Sequence, residues 1–216
     1  MSPPVTTTSH AILGLLSLRS WTTYELAKQM QRSVSWFWPR AERKLYDEPK
    51  RLAALGLAST RSAATGKRSS TVYEITSEGR AALRDWLRNG PGEEMVIEME
   101  PMIRVFFADG SSMADLRATL AGIGFQMEDR LERLGAMAAE SASGGDTFSE
   151  RRATNAVAME LWVRLHETVR DWADWAQHET DTWPAKRRGR RDVAGGPPER
   201  GTELFAAIAE RTRATN

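Results

Sequence analysis

Apolar positions recur at helical spacing through most of the chain. In HAILGLLSLRS, Ile12, Leu15, Leu16 and Leu18 are too densely apolar for a surface helix and predict a buried one, with Ser9 as its cap and residues 1–8 as a flexible leader. In TTYELAKQM, Thr22 and Glu25 have the spacing of a capping box, and Tyr24, Ala27 and Met30 are the expected inner face. SVSWFWPR connects this helix to the next. Trp36 and Phe37 are expected to wedge into the core, Ser35 to cap or contact a phosphate, and Pro39 to fill the first turn that follows.

The chain is organised around Pro39–Gly56. Indexed at about 100° per residue, Ala41, Leu45, Leu52 and Leu55 fall on one side of a helix. Arg40, Arg43, Tyr46, Asp47 and Lys50 fall on the other, with Lys44 and Arg51 on the flanks. Pro49 would interrupt such a helix at a cost of about 3 kcal/mol. A kink near Leu45 is preferred to two shorter helices, because the apolar phase continues from Leu45 to Leu52. Gly56 ends the helix.

LASTRS and STVYEIT read as strands around AATGKRS, with Gly66 permitting the turn and Lys67 and Arg68 at its tip. A lone hairpin is unstable in water, so it must pack on the helices before it. Thr76 or Ser77 caps a further helix whose apolar set is Ala82, Leu83, Trp86 and Leu87. Asn89–Gly92 is the strongest break in this half and the expected domain boundary. Helix, helix, basic helix and basic-tipped hairpin is the order of a winged helix-turn-helix.

Beyond the break, Pro101 allows a helix start, with Ile103, Phe106 and Phe107 facing a neighbour. Ser112 and Asp115 open a helix in which Met113, Leu116, Leu120, Ile123, Met127, Leu131 and Leu134 form a coiled-coil-like seam. Ser141–Gly145 breaks it. Thr147 is the expected cap of a long helix to about Thr180, with Met159, Trp162, Leu165, Val169, Trp172 and Trp175 on its apolar side. Two antiparallel helices cannot bury both faces alone, which predicts a two-fold homodimer. The tail AKRRGRRDVAGGPPERG reads as a solvated linker in preference to a phosphate-clinging arm, and ELFAAIAERTR as a short amphipathic helix docking on the dimer. The expected architecture is mainly α. A winged helix-turn-helix domain with a β-hairpin wing spans 1–90, an antiparallel helical dimerisation domain 91–180, and a basic linker with a short helix 181–216.

Charge sharpens this picture. The net charge is +1, yet residues 1–90 carry +7, residues 91–180 carry −9 and residues 181–216 carry +3. A basic first section points to a polyanion and an acidic middle away from one. Cysteine is absent, the longest apolar run, Ala11–Leu18, is far below the roughly 20 residues of a membrane span, and no basic n-region precedes it. A cytoplasmic protein without membrane contact is expected. His10, His166 and His178 are far apart, and no P-loop, dinucleotide or nucleophile-elbow motif occurs. The expectation is a binding protein rather than an enzyme, with no cofactor and no metal.

HAILGLLSL, YELAKQM, KLYDEPKRLAALGLAS and SSTVYEITSEGRAALRDWL together resemble the PadR family of transcriptional regulators over roughly residues 9–88. The helical remainder, with EPMIRVFFAD near its start, resembles the branch with the larger C-terminal domain. The resemblance implies a dimeric repressor on a palindromic operator. It makes Tyr46 the DNA-backbone tyrosine, Lys50 its basic neighbour, and Lys67 and Arg68 the wing tip. Many members carry proline directly after the tyrosine, whereas here Asp47 follows it and proline comes at Pro49.

The DNA-binding candidates are therefore Ser35, Arg40, Arg43, Lys44, Tyr46, Lys50, Lys67 and Arg68. Of the eight tryptophans, Trp162, Trp172 and Trp175 share one helix. They read either as a pocket for a flat aromatic or apolar effector or as plain dimer core, and core is favoured. The rival function is a helical dimeric scaffold whose winged domain binds protein.

Overall fold

Thr6, not Ser9, starts the first helix. The computed structural model describes residues 5–38, 46–65, 68–89, 92, 94–145, 148–184, 186–188 and 191–214. In it Thr6 accepts from the Ser9 backbone N–H at 3.3 Å, while Ser9 Oγ accepts from the Thr6 N–H at 2.8 Å. The chain forms two compact units, Met1–Met95 and Val96–Asn216.

In the first unit, α1 (Thr7–Leu16) buries Ile12, Leu13, Leu15 and Leu16. The capping box of Thr22 and Glu25 opens α2 (Thr23–Arg32), which buries Leu26, Ala27 and Met30. Tyr24 is exposed, contrary to expectation, because it lies off that stripe. The sheet has a third strand, β1 (Trp21–Thr22), too short to show a period in the sequence. It pairs antiparallel with β3 (Arg68–Ile75), which pairs in turn with β2 (Ala58–Thr65), giving the order β1-β3-β2. Buried Trp21 fixes this edge by donating its indole N–H to the Leu15 carbonyl at 2.7 Å.

Between strands and helices lies α3 (Glu48–Ala54). It ends in a glycine cap: Gly56 has φ +73°, the Leu57 N–H reaches Leu52 O and the Gly56 N–H reaches Ala53 O. Thr76 caps α4 (Ser77–Arg88). At Gly79 a Cβ would stand 2.0 Å from the Leu57 carbonyl oxygen, so only glycine allows this approach. Trp86 and Leu87, expected in the buried set, are both exposed. Trp86 instead stacks flat on His10, with centroids 4.8 Å apart.

In the second unit, Pro101 stands in the first turn of α5 (Glu100–Phe106). Ile103, Phe106 and Phe107 are exposed. Ser112 and Asp115 cap α6 (Met113–Ala142), whose seam is the expected one: Leu116, Leu120, Ile123 and Leu134 are buried. A 3-10 turn, Ser149–Arg151, leads into α7 (Arg152–Asp181), later than expected; the anticipated cap Thr147 lies outside the described residues. Arg117 at the start of α6 pairs with Asp181 at the end of α7 at 2.9 Å, so the two helices run antiparallel. The buried face of α7 is made of Ala173 and Ala176 with His166, Glu179 and Thr180, while the expected tryptophan side is only partly covered. Small residues explain this. Gly124 of α6 faces Ala173, and bulky indoles would hold the backbones apart.

The tail departs from a solvated linker. β4 (Lys186–Arg188) pairs antiparallel with β5 (Arg191–Val193), with Arg187 paired to Asp192 at 3.0 Å. Ala194 is buried and Trp183 packs in the same core as Leu116, Leu120 and Ala176. α8 (Pro198–Ala214) follows. The tail had apolar groups to bury, which its arginines obscured. Among the described residues, no helix is long and apolar enough to cross a membrane.

Candidate nucleic-acid interface

Pro49 sits in the first turn of α3, where its missing N–H costs nothing. Over the described residues the expected kinked helix does not run through Tyr46 and Asp47; Leu45, the expected site of the kink, lies outside them. Tyr46 and Asp47 make a turn, and the helix begins at Glu48. The reason is the proline itself, whose ring would clash with the carbonyl four residues back in a continuous helix.

The inward side of α3 is held by a polar network. Glu48, only 7% exposed at its side chain, pairs with Arg51 at 2.6 Å. Arg51 Nη2 also donates to Ser9 Oγ at 2.8 Å, and the Ser9 hydroxyl donates to Glu48. The hydrogen bonds that Arg51 donates to the Glu48 carboxylate raise its pKa above the ordinary value. Arg51, indexed to the cationic flank, is thus turned inward, tying α3 to α1.

The outward side carries Tyr46, 61% exposed, and Lys50, whose side chain is 66% exposed and 3.5 Å from Asp47. So loose a pair at the surface contributes little to stability and leaves the ammonium available to an anion. Ser35 lies in a 3-10 turn, Val34–Trp36, and donates its hydroxyl to the Gln31 carbonyl at 2.7 Å. Of the two expected to wedge into the core, Trp36 is half-buried and Phe37 exposed; Trp38, also half-buried, ties the connector to the first helix by donating its indole N–H to Thr8 Oγ1 at 3.0 Å. Arg40, Arg43, Lys44 and Lys67 lie outside the described residues. Arg68 is the first residue of β3, opposite Thr65 in the last pair of the hairpin ladder. Arg61, exposed on β2, is a further cation of this unit that the tip-centred reading missed.

The second unit holds a cavity of about 440 Å³. Trp172, Trp175, Trp183 and Phe106 line it together with Leu116 and Leu120. Trp162 does not; its carbonyl accepts from His166 Nδ1 at 2.6 Å. At the wall, buried Glu179 receives both Nε and Nη2 of Arg200, each at 2.8 Å, and the Trp183 indole N–H at 3.2 Å. These bonds hold the Glu179 pKa down at about 2 and lift that of Arg200 well above its usual range. Glu179, Trp183 and Arg200 went unnoticed in the sequence. No local sequence signal joined them, since Trp183 stands eleven residues before Ala194 and Arg200 twenty-one after Glu179.

Residues 12–85 match the model of the transcriptional regulator PadR-like family. The negative transcriptional regulator PadR of Bacillus subtilis is 31% identical over 100 residues, which span 45% of this chain and 54% of that protein. The chain thus matches about half the length of that relative. A probable transcriptional regulator of Mycobacterium tuberculosis, Rv1176c, is 25% identical over 181 residues, 76% of this chain and 93% of the other. Among solved structures, Bacillus subtilis PadR in complex with operator DNA superposes with a TM-score of 0.69 at 19% identity, covering 81% of this chain and 99% of that one. The same protein in complex with p-coumaric acid gives 0.65 at 19% identity, over 82% and 99%. At these identities the superpositions speak to the fold.

Proposed function

We propose that this chain, whose residues 12–85 match the PadR-like family model, is a homodimeric, cytoplasmic repressor that binds operator DNA and is released by a small aromatic or apolar effector. It acts by binding, without turnover. The supporting observation is the exposed end of α3, where Tyr46 and Lys50 stand free of the core in a winged-helix unit. A phenol and an ammonium suit phosphate oxygens, which position a reading helix without specifying sequence. Arg40, Arg43, Lys44, Lys67 and Arg68 are the further DNA contacts in our reading, and Ser35 joins them once its hydroxyl leaves the Gln31 carbonyl for a phosphate oxygen. Trp172 and Trp175 belong to the effector site, and Trp162 to the helix pair beside it.

A gel-shift titration with the duplex directly upstream of the coding region, run across a salt series, tests this. Affinity should fall steeply with salt as counterions are released. Lys50→Ala should weaken binding on all sequences alike and reduce the slope of log K against log salt by about 1. A flat salt response, or an unchanged Lys50→Ala, would favour a winged domain that binds protein.

A further inference from the structure

The aromatic cavity is closed on one side by the C-terminal tail. Ala194, Gly195, Gly196 and Leu204 form that wall. The tail is fastened at two points: the Ala194 N–H donates to the Ser111 carbonyl at 2.8 Å, and Arg200 grips Glu179 through two bonds. Gly196 lies flat against the Trp183 ring, where a Cβ would come within 2.7 Å of the indole. Beyond Leu204, α8 is exposed throughout its described length, so its first turns carry the attachment.

The charges around the cavity are balanced. Glu179 is neutralised by Arg200. Exposed Asp109 lines the edge, and exposed Lys186 brings Nζ within 3.8 Å of where a Gly195 Cβ would stand. An entering ion of either sign would lose hydration and find no buried counter-charge. An uncharged ring system sheds only apolar hydration and gains stacking on indoles.

We infer that this cavity takes an uncharged, flat aromatic molecule of two or three fused rings, and that the molecule holds the 194–204 arm closed over it. The inference rests on the effector reading proposed above and adds the occupant's chemistry and the moving part. A ligand that touches both bundle and arm favours the docked arm by mass action.

Three probes of one shape but different charge separate the classes: 2-naphthol, 2-naphthoate and N-methylquinolinium. Calorimetric titration of the full chain at pH 7.5 should show 2-naphthol binding at least about tenfold tighter than either ion. Trp175→Ala, at a half-exposed position that tolerates truncation, should weaken it by about fivefold. Hydrogen exchange of residues 194–204 should slow when 2-naphthol is added, and Arg200→Gln should both speed that exchange and weaken binding. Equal or tighter binding of an ion, no binding by any probe, or an arm whose exchange ignores the ligand would each overturn the inference. Trp175-dependent binding that leaves the operator complex intact would support the inference while sinking the effector reading.

Discussion

Gly79 and Glu179 each do something no other residue at their positions would do. A methyl group at Gly79 would meet the Leu57 carbonyl oxygen at 2.0 Å, a backbone atom with nowhere to move. Gly79→Ala should therefore lower stability by about 3 kcal/mol, the upper range for overpacking, despite the better helix propensity of alanine. A denaturant melt followed by circular dichroism would read this directly. Glu179 has a folded-state pKa of about 2 against an ordinary 4.5. Its contribution is complete above about pH 5 and is lost as the pH falls from 4.5 toward 2, because the unfolded chain takes up the proton first. Exchange of α8 amides should accelerate across that window, and the acceleration should vanish in Glu179→Gln. His10 acts earlier: burial against Trp86 lowers its pKa below 6.5, so acidification from neutrality first weakens the winged unit.

Among elements, α3 shows best where sequence reasoning succeeds and where it stops. The glycine terminus, both capping boxes, the hairpin and the α6 seam were legible because each has a fixed local spacing. The start of α3 was not. Apolar phase ran unbroken through Pro49, and phase alone cannot tell a kink from a new beginning. Nor could it show that Arg51 turns inward, since that depends on Glu48 and on Ser9, far away in sequence. The tail was misjudged for a related reason: its arginines dominate the composition, while Trp183, Ala194 and Arg200 do the packing. The Ser9–Glu48–Arg51 network also makes a prediction for the element. Glu48→Gln keeps the shape but removes the buried charge that Arg51 answers, and should destabilise the protein by about 3 kcal/mol, the cost of leaving one partner of a buried pair. Operator affinity should fall with it under conditions where the variant stays folded.

At the scale of the whole molecule, the second unit presents apolar flanks to solvent. Val157 and Leu161 on α7 and Phe125 on α6 remain exposed in the single chain. The proposed homodimer would bury surface of this kind, and sedimentation at micromolar concentration should give twice the 24.1 kDa of one chain. Two-fold pairing would set two α3 helices about 34 Å apart, so operator half-sites should be spaced by about one turn. Inserting five base pairs between the half-sites should abolish binding; inserting ten should restore part of it.

The reading helix is fastened to the start of the chain. Thr6 opens the first helix, and Ser9, three residues on, already touches Glu48 and Arg51. A substitution that removes the Ser9 hydroxyl, such as Ser9→Ala, would therefore reach the Glu48–Arg51 pair from the far end of the winged unit's first helix.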